Sequence, residues 1–185
     1  LLRSHNFCGN DENPGHDEVP EWQVWTDRET TRGQARIEES LEGIVGRATS
    51  IFHVGVGNSG LALRFGHRVA MIHGITLHQE EKARADRLRI PNYAVWVINK
   101  YSSGMTKIRG GFDFIVDNNP SSFACCFFHF CRMMVCYREM LCGGGVLLTD
   151  ALGLGWVTTG GDSAWSLDWV DWVRLAEALT MTARS

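Results

Sequence analysis

The chain has 185 residues, 44% of them hydrophobic and 21% charged, with 18 basic against 21 acidic side chains. That length suits one domain with a real core, and the hydrophobic content excludes a mostly disordered chain. A net charge of −3 offers no basic excess to nucleic-acid phosphates. No uninterrupted apolar run reaches the ~18–20 residues of a membrane helix, because His129 and Arg132 break the run at 123–134. Neither nucleic acid nor membrane is therefore an expected partner.

Residues 1–33 are polar and irregular, with Pro14, Gly15, Pro20 and Gly33 among them and tryptophans at 22 and 25. They read as an arm or cap, and 34–185 as the domain proper. Across 34–45, Ile37, Leu41, Ile44 and Val45 recur at helical spacing. A β-type run at 50–54 ends in Gly55, and Ser59 is placed to cap a helix over 59–65. Residues 69–75 read as a second strand, 79–88 as a helix with a charged, solvated face, 93–98 as a third strand and 112–116 as a fourth. An apolar helix over 122–141 follows. Gly143, Gly144 and Gly145 then lead into a fifth strand over 146–149, and 150–163 is a glycine-rich loop. The last helix, 165–183, places Trp165, Trp169, Trp172, Leu175 and Leu179 on one stripe, which suits core packing or a homo-oligomer face.

Five of the six cysteines, Cys125, Cys126, Cys131, Cys136 and Cys142, fall on or beside the apolar helix, and none forms a CxxC pair with another or with Cys8. They suit small buried hydrophobes in a reducing compartment better than a disulfide framework or a zinc site. No basic, apolar, small-residue signal pattern is present, so a cytoplasmic location is expected.

Short β-branched strands alternating with helices predict an α/β fold with a mostly parallel sheet covered on both faces. Ligands in such sheets sit beyond the carboxyl ends of the strands. After the first strand the chain runs His53-Val54-Gly55-Val56-Gly57-Asn58-Ser59-Gly60-Leu61, a GxGxxG pattern at a strand-to-helix turn. Glycines there admit a ligand close to the backbone. A nicotinamide site would place an acidic residue about 20 positions on, at the end of the second strand. That end reads Gly74-Ile75-Thr76-Leu77-His78, which argues against a dehydrogenase.

The run from Ile51 to Val157 resembles the class I S-adenosylmethionine-dependent methyltransferases. The matching pieces are the HVGVGNSG turn, GITLHQEE, FDFIVD at 112–117 and REMLCGGGVLLTDAL at 138–152. GITL is similar to the second-strand motif of cyclopropane-synthase-like and related small-molecule methyltransferases. The resemblance implies a Rossmann-like three-layer sandwich, with the family's terminal antiparallel strand pair missing after residue 183. It also implies transfer of a methyl group to a small-molecule acceptor, oxygen preferred. A silent methyltransferase-like binding or assembly module is the alternative.

Carried over residue by residue, the resemblance places Gly55, Gly57, Asn58 and Ser59 around the methionine part of the cofactor. His53 stands where an acid is common, facing the cofactor's ammonium group. Thr76 and Leu77 fall beside ribose and adenine, and Asn99, Lys100, Tyr101 and Ser102 border the adenine. Asp117 and Asn118 close the site below the sulfonium. An oxygen nucleophile needs a base or a metal. Asp117 and His129 are the candidate catalytic groups, although His129, set among aromatics on the apolar helix, suits a core histidine better. Residues 112–119 and 144–152 resemble segments that hold magnesium in divalent-cation-dependent O-methyltransferases. Asp117 and Asp150 match those ligands, Asn119 lies near a second acidic position, and Ala151 lacks the oxygen expected there. The other reading has Asp117 contact the cofactor while Asp150 caps the final loop. Trp22 and Trp25 suit either a lid over a flat acceptor or a hydrophobic anchor for the arm.

Overall fold

Strand β1 (Ser50–Val54) is buried along its whole length, because it lies at the centre of a parallel sheet whose two faces are both covered. The computed structural model describes residues 24–122, 124, 126–154 and 166–184, so Trp22, Trp165, Cys8 and Cys125 lie outside it. Among the described residues the sheet has five strands in the order β3-β2-β1-β4-β5. The others are β2 (Met71–Thr76), β3 (Tyr93–Val97), β4 (Phe112–Val116) and β5 (Leu141–Leu148), and every pairing is parallel.

Alternation along β1 divides the core in two. Ile51 joins α1 (Arg32–Leu41) and α2 (Gly60–Phe65) through Ile37, Leu41, Leu61 and Phe65. Phe52 and Val54 point the other way, into a larger cluster with α4 (Phe127–Met140) and α6 (Trp169–Ala178), which supply Phe130, Tyr137 and Trp172. Helix α3 (Gln79–Arg87) packs through Ala85 against Val56 and Val95. His53 shares the α1 face with Ile51, which decides what it can meet.

Several expected boundaries moved. The first helix starts at Arg32, where the Thr31 side chain accepts from the Gln34 N–H, and stops at Leu41. Ser59 makes no side-chain cap; it sits in the left-handed region at φ 63°, and Asn58 Oδ1 accepts from Gly60 N at 2.8 Å instead. A 3-10 turn (Ser103–Lys107) fills the segment before β4. The three glycines belong to β5 itself: Gly144 has φ +86° and a Cβ on Gly145 would lie 2.8 Å from the Phe112 carbonyl. They form an irregularity in register with β4, as glycines inside a strand often do. A short α5 (Ala151–Leu154) starts what the sequence suggested was loop. Trp172 and Leu175 join the core while Trp169 is 45% exposed, so the tryptophan stripe is divided between packing and solvent. No described helix is long and apolar enough to cross a membrane.

Candidate functional site

At the carboxyl end of the sheet, register sets His53 of β1 beside Gly74 of β2 and Val116 of β4. Past His53 the backbone turns through Gly55 at φ +73° and Gly57 at φ +50°, conformations that L side chains rarely adopt. A Cβ at Gly55 would meet nothing within 4 Å, whereas one at Gly57 would lie 3.1 Å from Trp25 Cδ1. The turn is tied to its neighbours: Gly55 N and Val56 N donate to the Ile75 carbonyl at 2.9 and 3.2 Å. The Asn58 side chain donates to the Arg28 carbonyl and to Thr30 Oγ1, and Ser59 Oγ accepts from the Tyr93 hydroxyl at 3.1 Å. Asn58 and Ser59 are thus at the turn as expected, but their side chains serve its architecture.

A cleft of about 50 Å³ opens beside the turn, lined by Trp25, Glu38, His53, Gly57 and Asn118 among others. His53 is 3% exposed, burial pushes its pKa down to about 4, and its Nδ1 has no hydrogen-bond partner. Glu38, 5% exposed, accepts from Gln34 Nε2 at 3.1 Å and lies 3.6 Å from Arg64. Burial nevertheless raises its pKa, outweighing those two groups.

At the end of β2, Thr76 Oγ1 donates to Glu81 Oε2 at 2.5 Å, and the other Glu81 oxygen accepts from the Trp25 backbone N–H at 3.0 Å. Glu81 is buried, which corrects the expectation that 79–88 presents only a solvated face. The strand end therefore does have a carboxylate, delivered by the first turn of α3. Helical spacing would have been the only clue: Glu81 and Ala85, four apart, are the buried pair of that helix. Leu77 is exposed.

The residues after β3 and β4 form a closed network. Lys100 Nζ lies 3.1 Å from Asp117 Oδ2 and donates to the Asn119 carbonyl at 2.9 Å, and the Tyr137 hydroxyl donates to Asp117 Oδ2 at 2.8 Å. Tyr101 is buried, its hydroxyl contacting the Pro120 and Ser122 carbonyls at 2.7 and 2.6 Å. Asn99 Oδ1 accepts from Tyr101 N, and Ser102 Oγ accepts from Gly104 N while donating to the Asn99 carbonyl. These side chains hold their own loop rather than lining the cleft. Asn118 does line it, donating to Thr31 Oγ1 at 3.2 Å. His129 is fully buried on α4, its Nδ1 3.1 Å from Cys126 Sγ, and is not among the cleft residues.

The donor set expected for magnesium does not fit. Asp117 is enclosed by Lys100 and Tyr137, and Asp150 binds Arg36 at 2.7 Å. Asp150 also accepts from Leu152 N at 3.1 Å and so caps α5. Among the described residues no group of three or more His, Cys, Asp or Glu is disposed to hold a metal ion.

No protein-family model and no curated protein sequence matches the chain. Solved structures do. A TehB-like SAM-dependent methyltransferase from Corynebacterium glutamicum superposes with TM-score 0.58 at 17% identity, over 82% of this chain and 74% of that one. The N-methyltransferase NodS from Bradyrhizobium japonicum gives 0.53 at 15%, over 64% and 65%. The [4+2]-cyclase SpnF gives 0.56 at 17%, over 91% and 62%. The match spans 49% of the first solved chain found, a Bacillus protein named YcgJ. The fold is that of the class I S-adenosylmethionine-dependent methyltransferases.

Proposed function

We propose that this chain uses that fold to bind S-adenosylmethionine at the β1 turn and to direct its methyl group to a small-molecule acceptor. One observation carries the reading. The glycine turn leaves the central strand of a 3-2-1-4-5 parallel sheet with two glycines at positive φ, and beside it lies a cleft holding a buried, unpartnered imidazole nitrogen. Those features suit a ligand that approaches backbone closely and brings a polar group to the strand end.

S-adenosylmethionine would supply a methyl group on a positively charged sulfur, so positioning is most of what the protein must contribute. Gly55 and Gly57 would seat the amino-acid portion. Thr76 and Glu81, the hydroxyl–carboxylate pair at the end of β2, are the acceptors that ribose hydroxyls would find. Trp25, held over Gly57 with its N–H on Glu81, would exclude water after giving up part of its present position. A cleft of about 50 Å³ is far below the ~300 Å³ and more of a nucleoside-sized site.

Oxygen remains the preferred nucleophile on the likeness of 112–119 and 144–152 to O-methyltransferases. The commitment of Asp117 to Lys100 and of Asp150 to Arg36 weighs against a metal-assisted version. Trp25 packed on the turn supports the silent module as the second reading. A cytoplasmic setting belongs to this reading, with Cys131, Cys136 and Cys142 kept as thiols.

Calorimetric titration with S-adenosylmethionine and S-adenosylhomocysteine tests the cofactor site, and transfer of labelled methyl to a panel of phenols, amines and thiols tests the reaction. Micromolar binding with turnover is expected. Binding without turnover on any acceptor favours the silent module, and no binding at millimolar cofactor refutes the cofactor site.

A further inference from the structure

Two buried acceptors in the cleft have more hydrogen-bonding capacity than their neighbours use. His53 Nδ1 has no partner, and with the ring proton on the other nitrogen it can only accept. Glu38 reaches the same cleft from α1. The guanidinium nearest to it, that of Arg64 at 3.6 Å, binds Glu42 more closely, at 2.6 Å. The carboxyl pKa is raised because burial outweighs Arg64 and Gln34, which marks a pocket short of positive charge. A neutral hydroxyl would satisfy His53 and leave Glu38 undercompensated. An anion would be repelled. A protonated amine carries both the charge and enough donors for both acceptors.

We infer that the cleft is an ammonium-binding subsite in which Glu38, on a helix preceding the sheet, supplies the carboxylate, with His53 as the second acceptor. The inference rests on the cofactor reading above and identifies which group receives the cofactor's amino group. In sequence the two residues are unconnected. They line one cleft because the α1 face of β1 includes His53 and because Glu38 is a buried residue of α1, one turn beyond Gln34.

The test compares two ligands that share the adenosine thioether and differ in the amino-acid portion. S-adenosylhomocysteine carries the ammonium group; 5′-methylthioadenosine does not. Glu38→Gln keeps side-chain size and changes only the charge. Calorimetric titration of wild type and Glu38→Gln with each ligand is expected to show S-adenosylhomocysteine weakened about tenfold or more in the variant, with 5′-methylthioadenosine unchanged. The unchanged ligand also reports that the variant is folded. Equal affinity of both proteins for S-adenosylhomocysteine would overturn the inference. So would a parallel loss of both ligands, which would make Glu38 a structural residue. If wild type binds neither ligand, the cofactor reading fails and takes the inference with it.

Discussion

Lysine 100 and aspartate 117 make the sharpest energetic test of the loops that frame the cleft. Asp117 is fully buried and the Lys100 side chain is 12% exposed. Replacing Lys100 with Met leaves the carboxylate inside the protein with only the Tyr137 hydroxyl at 2.8 Å and the Asn119 N–H at 3.3 Å. Removing one partner of a buried ion pair costs about 3–5 kcal/mol. In a domain of this size that lowers the melting temperature by roughly 10 °C. Asp117→Asn should cost less, about 1–3 kcal/mol. The remaining ammonium keeps the Asn119 carbonyl and some water, and burial already lowers its pKa, which favours the neutral amine. In Lys100→Met/Asp117→Asn no charge is left unpaired, and stability should recover to give a coupling energy of about 2 kcal/mol or more. Urea unfolding of the three variants at pH 7 measures this. A cost below about 1 kcal/mol for Lys100→Met, or strict additivity in the double variant, would refute the account.

Three further outcomes follow from the same geometry. His53 has a folded pKa near 4 because burial opposes its charge. The unfolded chain therefore binds the extra proton between about pH 6.5 and 4, and stability falls as pH drops through that window, by about 3 kcal/mol at its lower end. His53→Gln should flatten this part of the stability–pH curve, and an unchanged slope would show that His53 is not buried neutral. A Cβ at Gly74 would lie 2.4 Å from Val56 Cγ1, so Gly74→Ala should cost about 1–3 kcal/mol by overpacking. Thermal unfolding should show Val56→Ala partly rescuing it, and no rescue would place the clash elsewhere. Gly57→Ala combines φ +50° with a 3.1 Å approach to Trp25; about 1–2 kcal/mol of backbone strain is expected. It should also release the arm, read as faster chymotryptic cleavage at Trp25, and unaltered cleavage would contradict the packing of Trp25 on the turn.

The succession of strands and helices along the chain, the placement of the glycine turn after the first strand and the likeness to methyltransferases were all legible in the amino-acid sequence, whereas the central place of that strand in the sheet was not. Hydrophobic period and turn residues are local properties, and they survive in any structure the chain adopts. Local rules misread Ser59, because a left-handed residue cannot present the usual side-chain cap, and they placed Gly143–Gly145 ahead of the fifth strand because a strand that needs glycine to pass the Phe112 carbonyl has the composition of a turn. What each polar side chain is bonded to was decided by tertiary structure alone. Asp117 and Asp150 look alike as free carboxylates at strand ends. Only packing reveals Lys100 against one and Arg36 against the other, 17 and 114 positions away. Glu81 and Glu38 sit in polar helical sequence, and burial singles them out because desolvation depends on what surrounds a group in space.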